Sequence, residues 1–175
     1  MSRRVILVDY DPGWPLEYAA ERQRLAEALS PWLVAIEHIG STSVPGLAAK
    51  PIIDIMVAVG ALSQAAHCIE PLHTLGYAYQ PEVERFIPER RYFRKLRGEQ
   101  ETHHLHLVEY DSPFWRRHLL FRDYLRSHPA TAQEYARLKR ELAVRFPEDV
   151  AAYTEAKTAF IRRVEAEAAH WSAHG

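Results

Sequence analysis

Hydrophobic and polar positions change period several times along this chain. Val5 to Val8 is a short apolar, β-branched stretch closed by the turn-forming run Asp9-Tyr10-Asp11-Pro12-Gly13. From Pro15 to Leu29 the pattern turns helical: Trp14, Tyr18, Leu25 and Leu29 fall near one face, and Ser30-Pro31 ends it. Val34 to Ile39 reads as a strand, followed by a Gly/Ser-rich loop over 40–46. Ile52 to Val59 is apolar at almost every position, which predicts a central strand covered on both faces. Residues 62–75 read as a helix that Pro71 should kink or split. Three further strands are predicted at Tyr77–Pro81, Arg91–Arg97 and His103–Glu109, with Glu82 to Arg90 as a charged loop. Beyond Asp111-Ser112-Pro113, a helix start, the period stays helical over 113–127, 130–145 and 148–170. Tyr135, Leu138 and Leu142 form one apolar stripe; Val150, Tyr153, Phe160, Ile161, Val164 and Ala168 form the next.

Strands first and helices later, without regular alternation, predict an α+β fold with a mixed or antiparallel sheet. Neither a repeat nor a linker divides the 175 residues, so a single domain is expected, with 113–170 as its C-terminal helical part. Composition agrees: 47% hydrophobic and 26% charged residues suit a packed core and exclude a disordered chain. The formal net charge of −1 argues against wrapping of extended nucleic acid, which needs many uncompensated cations. The single cysteine, Cys68, cannot form an internal disulfide and falls in a helical pattern, where a packed side chain is the expected role. With four apolar residues near the start and no apolar run approaching the roughly 20 that span a bilayer, the expectation is a soluble, cytoplasmic protein without a membrane partner.

Three groups of residues could carry chemistry. Gly40-Ser41 is a turn able to offer backbone N–H groups and a hydroxyl to phosphate, and Asp54 lies thirteen residues later inside an apolar strand. A carboxylate in that run is expensive to bury without a partner or a metal; the bland alternative is a turn and one satisfied acid. In His103-His104-Leu105-His106, strand alternation puts His104 and His106 on one face, as metal ligands, proton carriers or a hydrogen-bonded pair. The third group is basic: Lys50 precedes the strand of Asp54, Arg91 and Lys95 share a face of theirs, and Lys157 interrupts an apolar stripe. Lys139 also borders its helix's stripe, whereas the arginines between Arg116 and Arg126 read as a solvated face.

The segment 38–56, HIGSTSVPGLAAKPIIDIM, resembles the signature block of the GrpB-like proteins, which belong to the nucleotidyltransferase superfamily sharing the fold of the DNA polymerase beta family. The likeness continues through 91–95, 104–106, 117–126 and 153–161, covering the chain from about Val5 to about Val164. The resemblance implies a nucleotidyltransferase-like sheet, an NTP as substrate and Mg²⁺ or Mn²⁺ as cofactor. Gly40, Ser41, Lys50, Arg91, Lys95 and Lys157 would hold the phosphates of a nucleotide or other phosphorylated small molecule, and Asp54, with His104 and His106, the metal. The superfamily pattern calls for two acids at i and i+2, so that both face one way and share two metal ions. Here Met56 stands at the second position, and a thioether does not replace a carboxylate on Mg²⁺. Two alternatives stay open: a non-catalytic module that binds a nucleotide or a coenzyme A-related ligand, since family members occur fused to dephospho-CoA kinase, and a metal-dependent phosphohydrolase.

Overall fold

The protein is described by a computed structural model covering residues 4–174. Among the described residues, six α-helices surround a mixed five-stranded sheet of order β1-β2-β5-β4-β3, with β1 Leu33–Ile39, β2 Ile53–Val59, β3 Tyr77–Tyr79, β4 Arg90–Arg97 and β5 Gln100–Glu109. The helices are α1 Trp14–Leu29, α2 Ala65–Thr74, α3 Pro113–Ser127, α4 Pro129–Arg145, α5 Val150–Ala156 and α6 Thr158–His174. The predicted α+β class holds. Only β2 and β5 run parallel; the other three pairings are antiparallel.

The sheet has two different faces. Ile53, Ile55, Val57 and Val59 of β2, with Leu105 and Leu107 of β5 and Phe93 of β4, pack against Leu25 and Leu29 of α1 and Cys68 and Leu72 of α2. Because side chains alternate, the opposite face carries Asp54, Met56, His104 and His106. Its outer half is covered by α3, where Phe114 and Trp115 pack on Met56, Ala58 and Val108. The rest opens toward the C-terminal helices, which hold Val44, Leu47 and Ala48 of the Gly-Ser loop in their own core with Tyr135, Phe160 and Val164.

Val5 to Val8, read from sequence only as a short β-branched stretch, contributes one isolated bridge, Val8 to Ala49. Several elements differ from the sequence expectation. α2 runs unbroken through Pro71, after a 3₁₀ turn over Leu62–Gln64. The long helix predicted over 148–170 is two helices that meet at Lys157, because the two halves of its apolar stripe are buried separately. Tyr153 packs with Val5 and Leu142, and Phe160, Val164 and Ala168 pack with Tyr135 and Leu125. β5 starts at Gln100, three residues before the predicted strand, because a hairpin around Gly98 (φ +61°) zips Leu96 and Arg97 onto Glu101 and Gln100. The arginines of α3 are not all solvated. Arg122 donates to Glu37 Oε2 at 2.6 Å and to the His38 carbonyl at 3.1 Å, and Arg126 donates to the Ser43 carbonyl at 2.9 Å, fastening the helix to the Gly-Ser loop.

Candidate functional site

At the end of β1 the backbone turns sharply. Gly40 adopts φ +70°, ψ −174°, a region that is essentially glycine-only. Its missing side chain matters as much as its backbone, because a Cβ there would lie 2.6 Å from Asp54 Oδ2. The turn leads into a single 3₁₀ turn, Ser41–Ser43, tied back by the His38 ring to Thr42 Oγ1 (2.9 Å). The register sets Ile39 opposite Asp54, so Ser41 is carried to the mouth of the carboxylate.

Asp54 pairs in register with His104, and Met56 with His106. The Asp54 Oδ1 atom lies 3.4 Å from His106 Nε2 and 3.6 Å from His104 Nδ1. Burial opposes ionisation of Asp54, but hydrogen bonds from both imidazoles, with the charge of His104, outweigh it and hold its carboxyl well below the usual carboxylate range. Arg90 Nη1 stands 3.3 Å from His106 Nδ1. A guanidinium can only donate, so Nδ1 accepts and the ring proton sits on Nε2, facing Asp54. Burial keeps that ring neutral, pushing its pKa down. His104 behaves oppositely. Although burial disfavours its charge, Asp54 on one side and Glu101 on the other (Oε2 at 2.9 Å from Nε2) raise its pKa.

Across a cavity of about 230 Å³ from this trio stand three lysines and two tyrosines: Lys50, Lys139, Lys157, Tyr135 and Tyr153. Lys139 is 2% exposed and donates from Nζ to Ser41 Oγ at 2.8 Å, with the Tyr135 ring 4.5 Å away. Burial, then the neighbouring Lys157 and Lys50, bring its pKa down to about 7. Burial and Lys50 bring Lys157, over the Tyr153 ring, to about 8. Depressed lysines beside a polar cavity mean positive charge held together at a cost, which an anion would relieve.

The donor set does not fit a resident divalent metal. His106 presents an N–H to Asp54 rather than a lone pair, and His104 is clasped between two carboxylates that favour its cation. Among the described residues no group of three or more His, Cys, Asp and Glu is arranged to hold a metal ion. Met56, at the position of the expected second acid, is wholly buried beneath Phe114 and Trp115.

Of the residues singled out from sequence, the fold brings Gly40, Ser41, Lys50, Asp54, His104 and Lys157 to one cavity, with His106 directly behind Asp54. Arg91 and Lys95 lie on the other face of the sheet. Lys95 Nζ bonds Glu21 Oε1 at 2.7 Å, and Arg91 bonds the Pro88 carbonyl at 2.9 Å. Their shared face was legible, but the register turns Arg90, Tyr92 and Arg94 toward the histidines instead, pairing them with Val108, His106 and His104. Lys139, Tyr135 and Glu101 enter the site as well. A lysine inside a helix's apolar stripe was the available signal for Lys139; nothing local marked the other two.

The molecule is thus an α+β protein with a cation-lined cleft between a Gly-Ser turn and a C-terminal helical wall. The GrpB protein family model matches residues 4–167, and the chain belongs to that family. It is 41% identical over 170 residues to the protein YqkA of Bacillus subtilis, matching 97% of this chain and 49% of that protein, so it spans about half the length of that relative. Protein PA4798 of Pseudomonas aeruginosa is 40% identical, with 92% of this chain and 66% of that protein matched. The crystal structure of GrpB from Enterococcus faecalis superposes with a TM-score of 0.86 at 40% identity, over 95% of this chain and 99% of that one. A weaker likeness, 29% identity over 191 residues, joins 96% of this chain to 47% of a dephospho-CoA kinase of Mycolicibacterium paratuberculosis. Among the described residues, no helix is long and apolar enough to cross a membrane.

Proposed function

We propose that the cleft binds the phosphates of a nucleotide or a related phosphorylated small molecule, and that lysines rather than a pair of resident metal ions carry the phosphate charge. The observation behind this is a gathering of cations: Lys50, Lys139 and Lys157 line the cavity, the last two with depressed pKa values, while Asp54, the carboxylate among the described lining residues, is engaged by two imidazoles. The Ser41 hydroxyl, held by Lys139, offers a donor at the same place. In this reading the chain is a single domain acting in the cytoplasm, where the buried Cys68 stays a free thiol.

Transfer of a nucleotidyl group from an NTP is the finer form of the same reading. Its cation, Mg²⁺ or Mn²⁺, would arrive with the nucleotide and meet Asp54 as its protein carboxylate. A second reading, a non-catalytic module that recognises a coenzyme A-related ligand, is favoured by Met56, whose burial leaves no room for the second acid, and by the likeness to a dephospho-CoA kinase. A metal-dependent phosphohydrolase built on Asp54, His104 and His106 has less support, since both rings are already committed to other partners.

A thermal-shift panel separates these. Tripolyphosphate, NTPs, coenzyme A and dephospho-coenzyme A are each tested with Mg²⁺, Mn²⁺ or EDTA. A ligand at 100 times its dissociation constant adds about 2.7 kcal/mol, or roughly 5–10 °C for a chain of this size. Stabilisation by tripolyphosphate and NTPs in EDTA is the expected result, and Lys157→Met should abolish it. No shift with any phosphate compound sinks the proposal. A shift confined to coenzyme A compounds selects the second reading, and one seen only with metal restores the metal-dependent form.

A further inference from the structure

The phosphate cleft has a neighbour. A second cavity of about 210 Å³ shares Lys50 and Ile52 with the first and extends outward between the N-terminal segment and the β4–β5 hairpin. Its floor is apolar: Ile6, 56% exposed, with Pro51 and Ile52. Its far wall is the hairpin tip, where Glu99 and Gln100 are exposed and Glu101 turns inward to Arg94 and His104. Arg4 closes the outer end. Each cavity alone lies below the roughly 300 Å³ at which sites for drug-sized ligands begin, and the two joined fall within that range. The chemistry changes sharply between them: cations and hydroxyls on one side of Lys50, an aliphatic floor with carboxylates and an amide on the other.

Resting on the phosphate-binding reading above, we infer that the two cavities form one bipartite site, in which the second cavity holds the nucleoside of a nucleotide whose phosphates lie in the lysine cleft. Lys50 and Ile52 line both halves, so a ligand anchored through its phosphates is directed along them. The carboxylates of the rim would repel a second anionic group and accept hydrogen bonds from hydroxyl or amino donors, which a ribose and a base edge supply. A flat ring covers Ile6, Pro51 and Ile52 and removes exposed aliphatic surface from water. Gln100, both donor and acceptor, is placed to read a base edge.

Calorimetric titration of the intact protein with inorganic tripolyphosphate and, separately, with ATP and UTP tests this, in EDTA and again with Mg²⁺. One nucleotide should bind at least about tenfold more tightly than tripolyphosphate, the added affinity belonging to the second cavity. Ile6→Asn, polar but uncharged, should remove that advantage while leaving tripolyphosphate affinity within about twofold. Ile6→Ser, a milder change at the same exposed position, should give an intermediate loss, and melting curves verify that both variants are folded. Lys157→Met should weaken both ligands together. Nucleotides binding no better than tripolyphosphate, or an unchanged advantage in Ile6→Asn, would overturn the bipartite site and leave the phosphate reading standing. Failure of every phosphate compound to bind would overturn both.

Discussion

The two faces of the sheet solve the same electrostatic problem in opposite ways. Under α1, the buried Glu21 carboxylate receives the Tyr77 hydroxyl at 2.8 Å, Lys95 Nζ at 2.7 Å and Arg24 Nη1 at 2.8 Å. Burial works against the Glu21 charge, but the bonds from Lys95 and Tyr77 outweigh it and its pKa is lowered. That cluster is closed: both Glu21 carboxylate oxygens are bonded, and Arg24, the second cation on it, reaches solvent. On the other face Asp54 is shared by two histidines, and three lysines stand across a cavity with a hydroxyl as the nearest partner of the most buried one. Titratable residue types are similar on the two faces; only the second group lines a cavity. A closed, fully hydrogen-bonded cluster needs no ligand, whereas lysines of depressed pKa facing a cavity are the setting in which an arriving anion would be stabilised.

This contrast can be broken at either end. Glu21→Ala should have the largest effect, since it strands Lys95 and the Tyr77 hydroxyl: about 3 kcal/mol of stability lost in urea unfolding, with tripolyphosphate affinity of the folded protein unchanged. Gly40→Ala should cost about 2 kcal/mol from its backbone conformation alone, and displacement of Asp54 by the new methyl group should lower phosphate affinity too. Lys139→Met points the other way. Removing an ammonium group that is 2% exposed should leave the melting temperature equal to or above wild type. Tripolyphosphate affinity should meanwhile fall by about tenfold, or roughly 1.4 kcal/mol. A melting temperature well below wild type would show that the Ser41 bond is structural after all.

The remaining tests turn on pH. With Lys139 near 7 and Lys157 near 8, both ammonium groups lose their protons as pH rises through that range, and a bound anion favours keeping them. Phosphate affinity should therefore decline from pH 6 to pH 9, with proton uptake on binding near neutrality visible in calorimetry as a dependence on buffer ionisation heat. The smallest effect belongs to His104. Its pKa is raised in the folded protein, so its contribution to stability is complete below the unfolded value of about 6.5 and is lost as pH rises through the folded value. Unfolding of wild type and His104→Gln should differ at acidic pH and converge at alkaline pH; a difference that grew with pH would refute the imidazolium assignment.

Periodicity alone was enough for most of the architecture. The apolar run of β2, the alternation of β4 and β5 and the stripes of the helices are local signals, written by the requirement that each element bury one face. Asp54 was legible for the same reason, being the one charge in a run that otherwise had to be buried. His104 and His106 could be assigned to a common face because strand side chains alternate strictly. Local pattern could not say which face of β4 would meet them. Arg91 and Lys95 were the natural choice as cations flanking Phe93, yet the β4–β5 register turns both to the other face, Lys95 to Glu21 and Arg91 to Glu84 and the Pro88 carbonyl, and gives Arg90 and Arg94 to the site.

What the chain determined by itself is therefore most of the elements, the Gly-Ser turn, the acid inside the apolar run of β2 and the paired histidines, since these follow from side-chain size, backbone freedom and the period of the pattern. Tertiary structure decided who meets whom. The parallel pairing of β2 with β5 set His104 beside Asp54, the packing of α3 buried Met56, and the break at Lys157 between two separately buried stripes brought that lysine to the cavity beside Lys139. Those choices depend on contacts between residues tens of positions apart, where the free energy comes from joint burial and mutual charge rather than from any local sequence preference.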